Sequence, residues 1–231
     1  NLLKERKNAK TVLYKTKIHS GKYRTKKLSL IAGVNNKTAL YKENGCLFHL
    51  NVETCYFSSR LSNERLRIAK QIKQGETVLV MFSGVGPYSI CIAKNSKAKN
   101  IIGVELNPKA HEFALENIKL NKVQDRVKAY CGDVRKVVPK FKEKFDRIIM
   151  PLPKDADEFL DVALKVLNKK GTIHLYDFEK EEDIPEKTIE KIKQYCEPEI
   201  FSIVKTGNYS PRKYRLCVDF KVKKLTKNKK V

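Results

Sequence analysis

The chain has 231 residues, of which 41% are hydrophobic and 32% are charged, a composition typical of a soluble globular protein. It contains no apolar run long enough to cross a bilayer, so we expect no membrane segment and a cytoplasmic protein. Its 49 Lys and Arg against 26 Asp and Glu leave a formal charge of +23, which favours a polyanionic partner, a nucleic acid before a membrane, unless it only reflects a Lys-rich proteome.

Residues 1–58 are predicted to form a small β-rich module, and because residue 1 is Asn rather than Met we expect a stretch to precede it. Within the module, Asn44-Gly45 separates two β-rich runs. This pair is typical of a two-residue hairpin turn because both residues tolerate positive φ. Residues 1–30 hold ten basic residues and one acid, so the module is a candidate surface for contacting a polyanion.

Residues 59–75 are predicted as a basic linking helix, with Leu61, Ile68 and Ile72 on its buried side. Residues 76–222 then alternate strand and helix, which indicates an α/β domain with a parallel, doubly wound sheet. The helix after the fourth strand of that domain shows one apolar face, at Ala156, Phe159, Leu160, Ala163, Leu164 and Leu167. The runs "EIFSIVKT" and "KYRLCVDFKV" are predicted as a closing antiparallel pair, and residues 223–231 as a basic tail.

The six cysteines and four histidines are scattered through the chain with no Cys-x-x-Cys pair. Several cysteines lie in apolar strands, which is typical of small buried side chains in a reducing compartment. The sequence therefore predicts neither a disulfide framework nor a metal site.

The chemistry-bearing residues follow the first three strands of the α/β domain. Gly84-Val85-Gly86, in "MFSGVGPYS", lets the backbone approach a ligand closely and is followed by Pro87, a favoured first residue of a helix. Glu105 ends the second strand, 21 residues after Gly84, where an acid can accept hydrogen bonds from both ribose hydroxyls of an adenosine cofactor. Asp133 follows the third strand, within reach of an adenine amino group. Together these three features predict an adenosine-binding site.

This constellation resembles the class I AdoMet-dependent transferases, which implies a Rossmann-like seven-stranded sheet and S-adenosyl-L-methionine as group donor. A nicotinamide site would show a third glycine, whereas Gly86 is followed by Pro87, Tyr88 and Ser89. Five blocks extend the resemblance to the archaeal and eukaryotic enzymes acting on position 37 of tRNA: "NGCLFHLNVETCYFSSRLSNER", "VLVMFSGVGPYSICIAK", "GVELNPKAHEFALENIKLNKV", "GDVRKV" and "RIIMPLPKDADEFLDVAL". The partner implied is therefore the anticodon loop of a tRNA, and we expect a monomeric enzyme that needs no metal.

The resemblance also implies roles for individual residues. Glu64 is expected as a general base, against the alternative of an exposed Glu–Arg pair of little consequence. Arg60 and, outside the five blocks, Arg24 are expected to assist catalysis. The residues expected to bind the cofactor are Ser59, Arg65, Phe82, Gly84, Gly86, Tyr88, Glu105, Leu106, Asp133, Val134, Pro151 and Leu152.

The segment Pro151-Leu152-Pro153 departs from the pattern of the guanine-37 N1-methyltransferases. Those enzymes carry an Asn-Leu-Pro-like segment whose amide holds the target base, and they have a proline where Ser59 stands. Loss of the amide favours the related wybutosine-synthesis enzyme, which moves the 3-amino-3-carboxypropyl group of AdoMet onto the tricyclic base 4-demethylwyosine and releases 5′-methylthioadenosine. The alternatives are N1-methylation of guanosine 37 and a tRNA-binding module without catalytic activity.

Overall fold

The computed structural model describes residues 2–6, 9–16, 21, 23–152 and 154–226. Within these residues the chain forms strands β1 (Thr11–Lys15), β2 (Leu28–Gly33), β3 (Thr38–Glu43), β4 (Cys46–Asn51), β5 (Thr77–Met81), β6 (Asn100–Glu105), β7 (Val127–Cys131), β8 (Phe145–Met150), β9 (Leu167–Lys180), β10 (Cys196–Ser210) and β11 (Lys213–Leu225). The helices are α1 (Leu2–Glu5), α2 (Ser62–Gln71), α3 (Pro87–Asn95), α4 (Pro108–Leu120), α5 (Val134–Val137), α6 (Leu160–Val166) and α7 (Glu186–Lys193).

A seven-stranded sheet with the order β10–β11–β9–β8–β5–β6–β7 forms the centre of the molecule. Strands β5 to β9 pair in parallel, and β11 pairs antiparallel with both β9 and β10. This is the predicted α/β fold, with the last two strands antiparallel to each other as expected, and the prediction is confirmed.

Helices cover both faces of this sheet. Along β5, the side chains of Val78 and Val80 join a hydrophobic cluster with α2, α3 and α4, whereas Leu79 and Met81 join a second cluster with α5, α6 and α7. A strand buried on both faces must be apolar at consecutive positions, and this is why "TVLVM" shows no polar alternation. The sheet is therefore the middle layer of a three-layer domain.

The predicted hairpin at Asn44-Gly45 is present, with both residues at positive φ (47° and 73°). Its strand β4 is bound edge-on by the amide side chains of Asn117 in α4 and of Asn121, the residue that caps the C-terminus of α4. Asn117 Oδ1 accepts from the His49 N–H (2.7 Å) and Asn121 Oδ1 from the Leu47 N–H (2.8 Å), while the amide nitrogens donate to the carbonyls of the same two residues. The hairpin is thus fastened to the α/β domain and shares its hydrophobic core.

The N-terminal region therefore divides differently from the predicted module of residues 1–58. Strands β1 and β2 form a two-stranded sheet of their own, while β3 pairs with β4, which packs on α4. The predicted helix of residues 59–75 is a 3-10 turn (Ser59–Leu61) followed by α2, and its predicted buried residues Leu61, Ile68 and Ile72 are buried. At the other end β11 continues to Leu225, so residues 223–225 belong to the sheet rather than to a tail.

The helix predicted after β8 is also shorter than its apolar pattern. It begins as a 3-10 turn (Ala156–Phe159), continues as α6, and stops before Leu167, which opens β9 by pairing with Phe145. Strand pairing has overridden helical periodicity at that residue. No helix in the described part of the chain is long and apolar enough to span a membrane.

Candidate active site

The turn between β5 and α3 is built from left-handed backbone. Phe82, Gly84 and Gly86 all have positive φ (59°, 57° and 87°), and α3 begins at Pro87 directly after Gly86. A Cβ built on Gly84 would meet only the Tyr56 carbonyl oxygen, at 3.8 Å, whereas one on Gly86 would press on Ile90 at 3.1 Å. Gly84 thus leaves its surroundings open for a ligand, and Gly86 allows close packing of the helix.

Glu105 is oriented by the turn itself. Its two carboxylate oxygens accept from the Gly84 N–H and the Asn107 N–H, each at 2.7 Å. Burial raises the pKa of Glu105, an effect that these backbone N–H groups oppose. Because a carboxylate offers about four acceptor positions, each oxygen keeps one for a further donor. The carboxyl group is therefore ready to receive a pair of hydroxyls.

Asp133 lies at the neighbouring strand end, since the Gly132 N–H donates to the Glu105 carbonyl (2.8 Å). Its side chain caps α5 by accepting from the Arg135 N–H (2.9 Å), which leaves its second oxygen available. Val134, the next residue, is buried, and Leu106, which follows Glu105, is half-buried. The structure thus brings together the predicted glycine turn, the strand-two acid and the strand-three Asp at one edge of the sheet.

Pro151 and Leu152 follow β8 at the same edge, because β8 runs parallel to β5. Pro151 has no N–H, and the Leu152 N–H is already bonded to the Met150 carbonyl (2.9 Å). These two residues therefore present no free backbone donor, and Pro153 lies outside the described residues. The adjoining wall is apolar: Phe82 and Phe159 meet edge to face, with ring centroids 5.0 Å apart, over the cluster on which Leu152 packs.

The segment before α2 approaches the glycine turn through Tyr56, whose hydroxyl accepts from Arg215 (3.2 Å). Ser59 and Arg60 are exposed in the 3-10 turn. Arg24 is half-buried in the turn before β2. This turn is joined to the segment before α2, because the Lys26 N–H donates to the carbonyl of Glu53 (3.2 Å), three residues before Tyr56.

Arg65 is buried rather than presented to a ligand. It is 1% exposed and forms a two-point ion pair with Glu43 of β3, at 2.5 and 2.6 Å. It also donates to the Ser58 carbonyl (3.0 Å) and lies over the Phe57 ring. These contacts fasten the segment before α2 to the hairpin, and the Arg65 guanidinium also lies 5.9 Å from the centroid of the Tyr88 ring.

Glu64 is not the exposed acid of a surface pair, since it is 6% exposed. Arg67 donates to both of its oxygens (2.7 and 2.8 Å), and the Tyr176 hydroxyl donates to Oε1 (2.6 Å). Tyr88, which the resemblance places beside the cofactor, donates from its own hydroxyl to that of Tyr176 (3.1 Å). Glu64 is thus linked to the first turn of α3 through two tyrosine hydroxyls.

The contacts of Glu64 continue into a polar cluster under α2. Arg67 also donates to Asp219 (2.5 Å), and His174 bridges Asp219 (2.6 Å) and Arg147 (2.7 Å). Since a guanidinium only donates, His174 Nε2 must accept from Arg147, and its Nδ1–H donates to Asp219. We call Glu64, Arg67, Arg147, His174, Tyr176 and Asp219 the buried polar cluster.

Charge balance governs the protonation of this cluster. Burial lowers the pKa of His174, in keeping with a neutral ring. Burial alone would raise the pKa of Asp219, but the hydrogen bonds from His174 and Arg67 hold it well below its usual range. His174, Cys217 and Asp219 have the spacing of metal ligands, yet an ion among them would have to displace the Arg67 and Arg147 guanidiniums.

Sequence reasoning missed most of this cluster. Arg147, His174 and Asp219 are ionisable residues inside otherwise apolar strands, and that placement was the available signal. The hydrogen-bond partners within the cluster could not be predicted from the sequence, because residues such as Arg67 and Asp219 lie 152 positions apart.

Comparison with known proteins shows which protein family this chain resembles. Residues 39–204 match the model of the TRM5/TYW2 methyltransferase domain. The tRNA (guanine(37)-N(1))-methyltransferase Trm5b of Pyrococcus abyssi is 41% identical over 221 residues, 94% of this chain and 65% of that protein. This chain therefore spans somewhat less than two thirds of that relative's length.

Two further relatives carry other activities in their names. The tRNA 4-demethylwyosine(37)-methyltransferase Taw21 of Saccharolobus solfataricus is 37% identical over 87% of this chain and 76% of its own length. The tRNA(Phe) (4-demethylwyosine(37)-C(7)) aminocarboxypropyltransferase of Methanocaldococcus jannaschii is 33% identical, over 97% of this chain and 90% of its own length.

Solved structures agree with these matches. A complex of aTrm5 with tRNALeu superposes with a TM-score of 0.86 at 34% identity, covering 96% of this chain and 63% of that one. M. jannaschii TYW2 in complex with AdoMet superposes with a TM-score of 0.76 at 32% identity, covering 85% and 90%.

Proposed function

This chain belongs to the TRM5/TYW2 methyltransferase family, and from that premise we propose that it modifies the base at position 37 of a tRNA with AdoMet as group donor. We propose further that the acceptor is 4-demethylwyosine and that the transferred group is 3-amino-3-carboxypropyl. The relatives are named for this activity, for N1-methylation of guanosine 37 and for methylation of 4-demethylwyosine. The acceptor side of the site therefore bears on the choice of base, and the pose of the methionine arm on the group transferred.

The adenosine moiety of AdoMet is assigned to the strand ends of β5, β6 and β7. The two free acceptor positions of Glu105 suit the ribose hydroxyls, and the free oxygen of Asp133 suits the adenine amino group. Gly84 leaves space for the backbone to approach the ligand, and Leu106 supplies an apolar contact for the adenine ring. Bound AdoMet supplies a sulfonium that activates each of its three carbon substituents.

One observation carries the choice of acceptor: Pro151 and Leu152 present no free backbone donor, and neither side chain can hydrogen-bond. A guanine edge held for N1-methylation would lose a polar partner there, at a cost of about 1–3 kcal/mol for each group left unpaired. The tricyclic base no longer carries the N1 proton and reacts through a ring carbon. A wall of Pro151, Leu152, Phe82 and Phe159 therefore fits that base better.

The transfer balances without an external reagent. The ring carbon of the base forms a bond to Cγ of the methionine arm, the S–Cγ bond breaks, and 5′-methylthioadenosine leaves with the electron pair. The proton on the ring carbon is then lost, and we assign Glu64 to accept it. Which substituent reacts depends on which one faces the base in line, so the pocket selects the product by holding the methionine arm.

The charge of +23 fits an RNA substrate, whose phosphates attract Lys and Arg. Arg60 in the 3-10 turn, Lys70 in α2 and Lys73 just after α2 are exposed, whereas Arg65 is buried. Only part of the predicted basic helix is therefore available to phosphates. The target base must leave its stack to reach the site, which is least costly in a single-stranded loop.

Two observations favour methyl transfer as the second candidate. The first is the 41% identity with Trm5b, an N1-methyltransferase. The second is Taw21, which is named as a methyltransferase of 4-demethylwyosine and is 37% identical. Both would use the same adenosine site with a different pose of the methionine arm.

A two-by-two transfer assay tests the proposal. Substrate tRNA carrying guanosine 37 or 4-demethylwyosine is incubated with AdoMet labelled in either the methyl or the carboxypropyl group. We expect label in RNA only from carboxypropyl-labelled AdoMet with the 4-demethylwyosine tRNA. Methyl label in either tRNA would contradict the proposed group, and methyl label in the guanosine tRNA would contradict the acceptor as well.

A further inference from the structure

The environment of Glu64 points to residues that act through it. Its Oε1 accepts from Arg67 and from the Tyr176 hydroxyl, and its Oε2 accepts from Arg67 alone. Three of about four acceptor positions of the carboxylate are therefore filled. The remaining one lies on Oε2, so the bonds from Arg67 and Tyr176 decide where Glu64 can receive a proton.

Each of these two donors is itself held in place. The Tyr176 hydroxyl accepts from Tyr88, so its own proton must point to Glu64. Burial raises the pKa of Tyr176, which keeps that proton on the hydroxyl. Tyr176 comes from β9, the strand beside β8, and thus reaches Glu64 from the sheet rather than from α2 itself.

Arg67 is fixed between two carboxylates. It donates to Glu64 and, at 2.5 and 3.3 Å, to both oxygens of Asp219. Asp219 is fully buried and accepts from His174 and Gln71 as well, so it cannot turn without breaking several bonds. Because a guanidinium does not release its proton, the path from Glu64 to Asp219 cannot conduct protons and acts only through orientation and charge.

We propose that Tyr176 and Arg67 are positioning residues for Glu64, and that Asp219 and His174 hold Arg67 in turn. This inference rests on the proposed function, since it takes Glu64 as the residue that accepts the proton. Neither Tyr176 nor Arg67 is assigned a contact with substrate; both act by fixing the carboxylate.

A double-mutant cycle tests the proposal. The rate constant kcat is measured for wild type, Tyr176→Phe, Glu64→Gln and the double variant, using whichever labelled group the wild type transfers. Removing a hydroxyl that bonds to a carboxylate should lower kcat about tenfold or more, with the KM for AdoMet unchanged. In the Glu64→Gln background the same change should alter kcat less than about twofold, because the residue it acts through has been altered. Tyr195→Phe, which removes the hydroxyl of another buried tyrosine, is the matched control and should stay within about twofold.

Equal losses of kcat for Tyr176→Phe in both backgrounds would overturn the proposal, since a merely structural role does not depend on Glu64. Arg67 gives a second test if Tyr176→Phe does not fold. Arg67→Lys keeps the charge and should retain more kcat than Arg67→Met, and equal kcat in these two variants would also overturn it. Wild-type protein that transfers neither label overturns the proposed function itself, whereas transfer of the other group leaves the cycle valid.

Discussion

The two halves of the candidate site are held in different ways. The proposed adenosine half consists of three neighbouring strand ends, where short turns place Gly84, Glu105 and Asp133 and backbone N–H groups orient the acids. The proposed acceptor half combines the end of β8 with contacts between distant segments, such as Tyr176 to Glu64, 112 residues apart. Local geometry thus orients the acids of the proposed adenosine site, while tertiary packing orients Glu64, the proposed proton acceptor. Changes in one half should leave the other largely intact.

The largest expected effect is on stability, from Asp219→Asn. Removing one carboxylate from the buried polar cluster leaves Arg67 and His174 short of a partner, and we expect the free energy of unfolding to fall by about 3 kcal/mol. Urea unfolding at neutral pH measures this. Asp125→Asn, at an exposed pair with Arg126, is the control and should change it by less than about 0.5 kcal/mol.

The contribution of Asp219 to the free energy of unfolding should also depend on pH. Because the pKa of Asp219 is depressed in the folded state, its stabilising contribution is complete above the unfolded pKa, near 4, and is lost as pH falls below it. The unfolding free energy of wild type should therefore fall more steeply than that of Asp219→Asn below about pH 4. Parallel curves would show that Asp219 is not stabilised by the cluster.

Next in size is the effect of Glu105→Ala on cofactor affinity. Two hydroxyl bonds to a carboxylate are lost, and we expect the Kd for AdoMet to rise about 100-fold by calorimetry. The midpoint of urea unfolding should move much less than with Asp219→Asn. A Kd within about threefold of wild type would contradict the assignment of Glu105 to the ribose.

The smallest effect is expected from Pro151→Asn, which places an amide side chain at the end of β8. We expect methyl transfer to guanosine-37 tRNA to rise and aminocarboxypropyl transfer to fall, each by about tenfold, with the Kd for AdoMet unchanged. Pro151→Ala removes the ring without adding an amide and is the control. If both variants change the two reactions equally, the missing amide does not determine the acceptor.

The contrast between the halves also explains what the sequence could predict. The sheet, the hairpin at Asn44-Gly45 and the glycine turn follow from periodicity and turn chemistry, which are local properties. The resemblance places Arg65 at the cofactor. Its ion pair with Glu43 could not be predicted, because no pattern in the sequence relates α2 to β3. Glu64 was located on the correct helix, but its burial depends on strands that follow more than 100 residues later.

The nucleoside product distinguishes aminocarboxypropyl transfer from methyl transfer. The reaction with 4-demethylwyosine tRNA is run to completion, and the nucleoside released from AdoMet is identified by chromatography and mass spectrometry. We expect 5′-methylthioadenosine in a one-to-one ratio with modified tRNA. Recovery of S-adenosylhomocysteine would mean that the methyl group had been transferred and would contradict the proposed reaction.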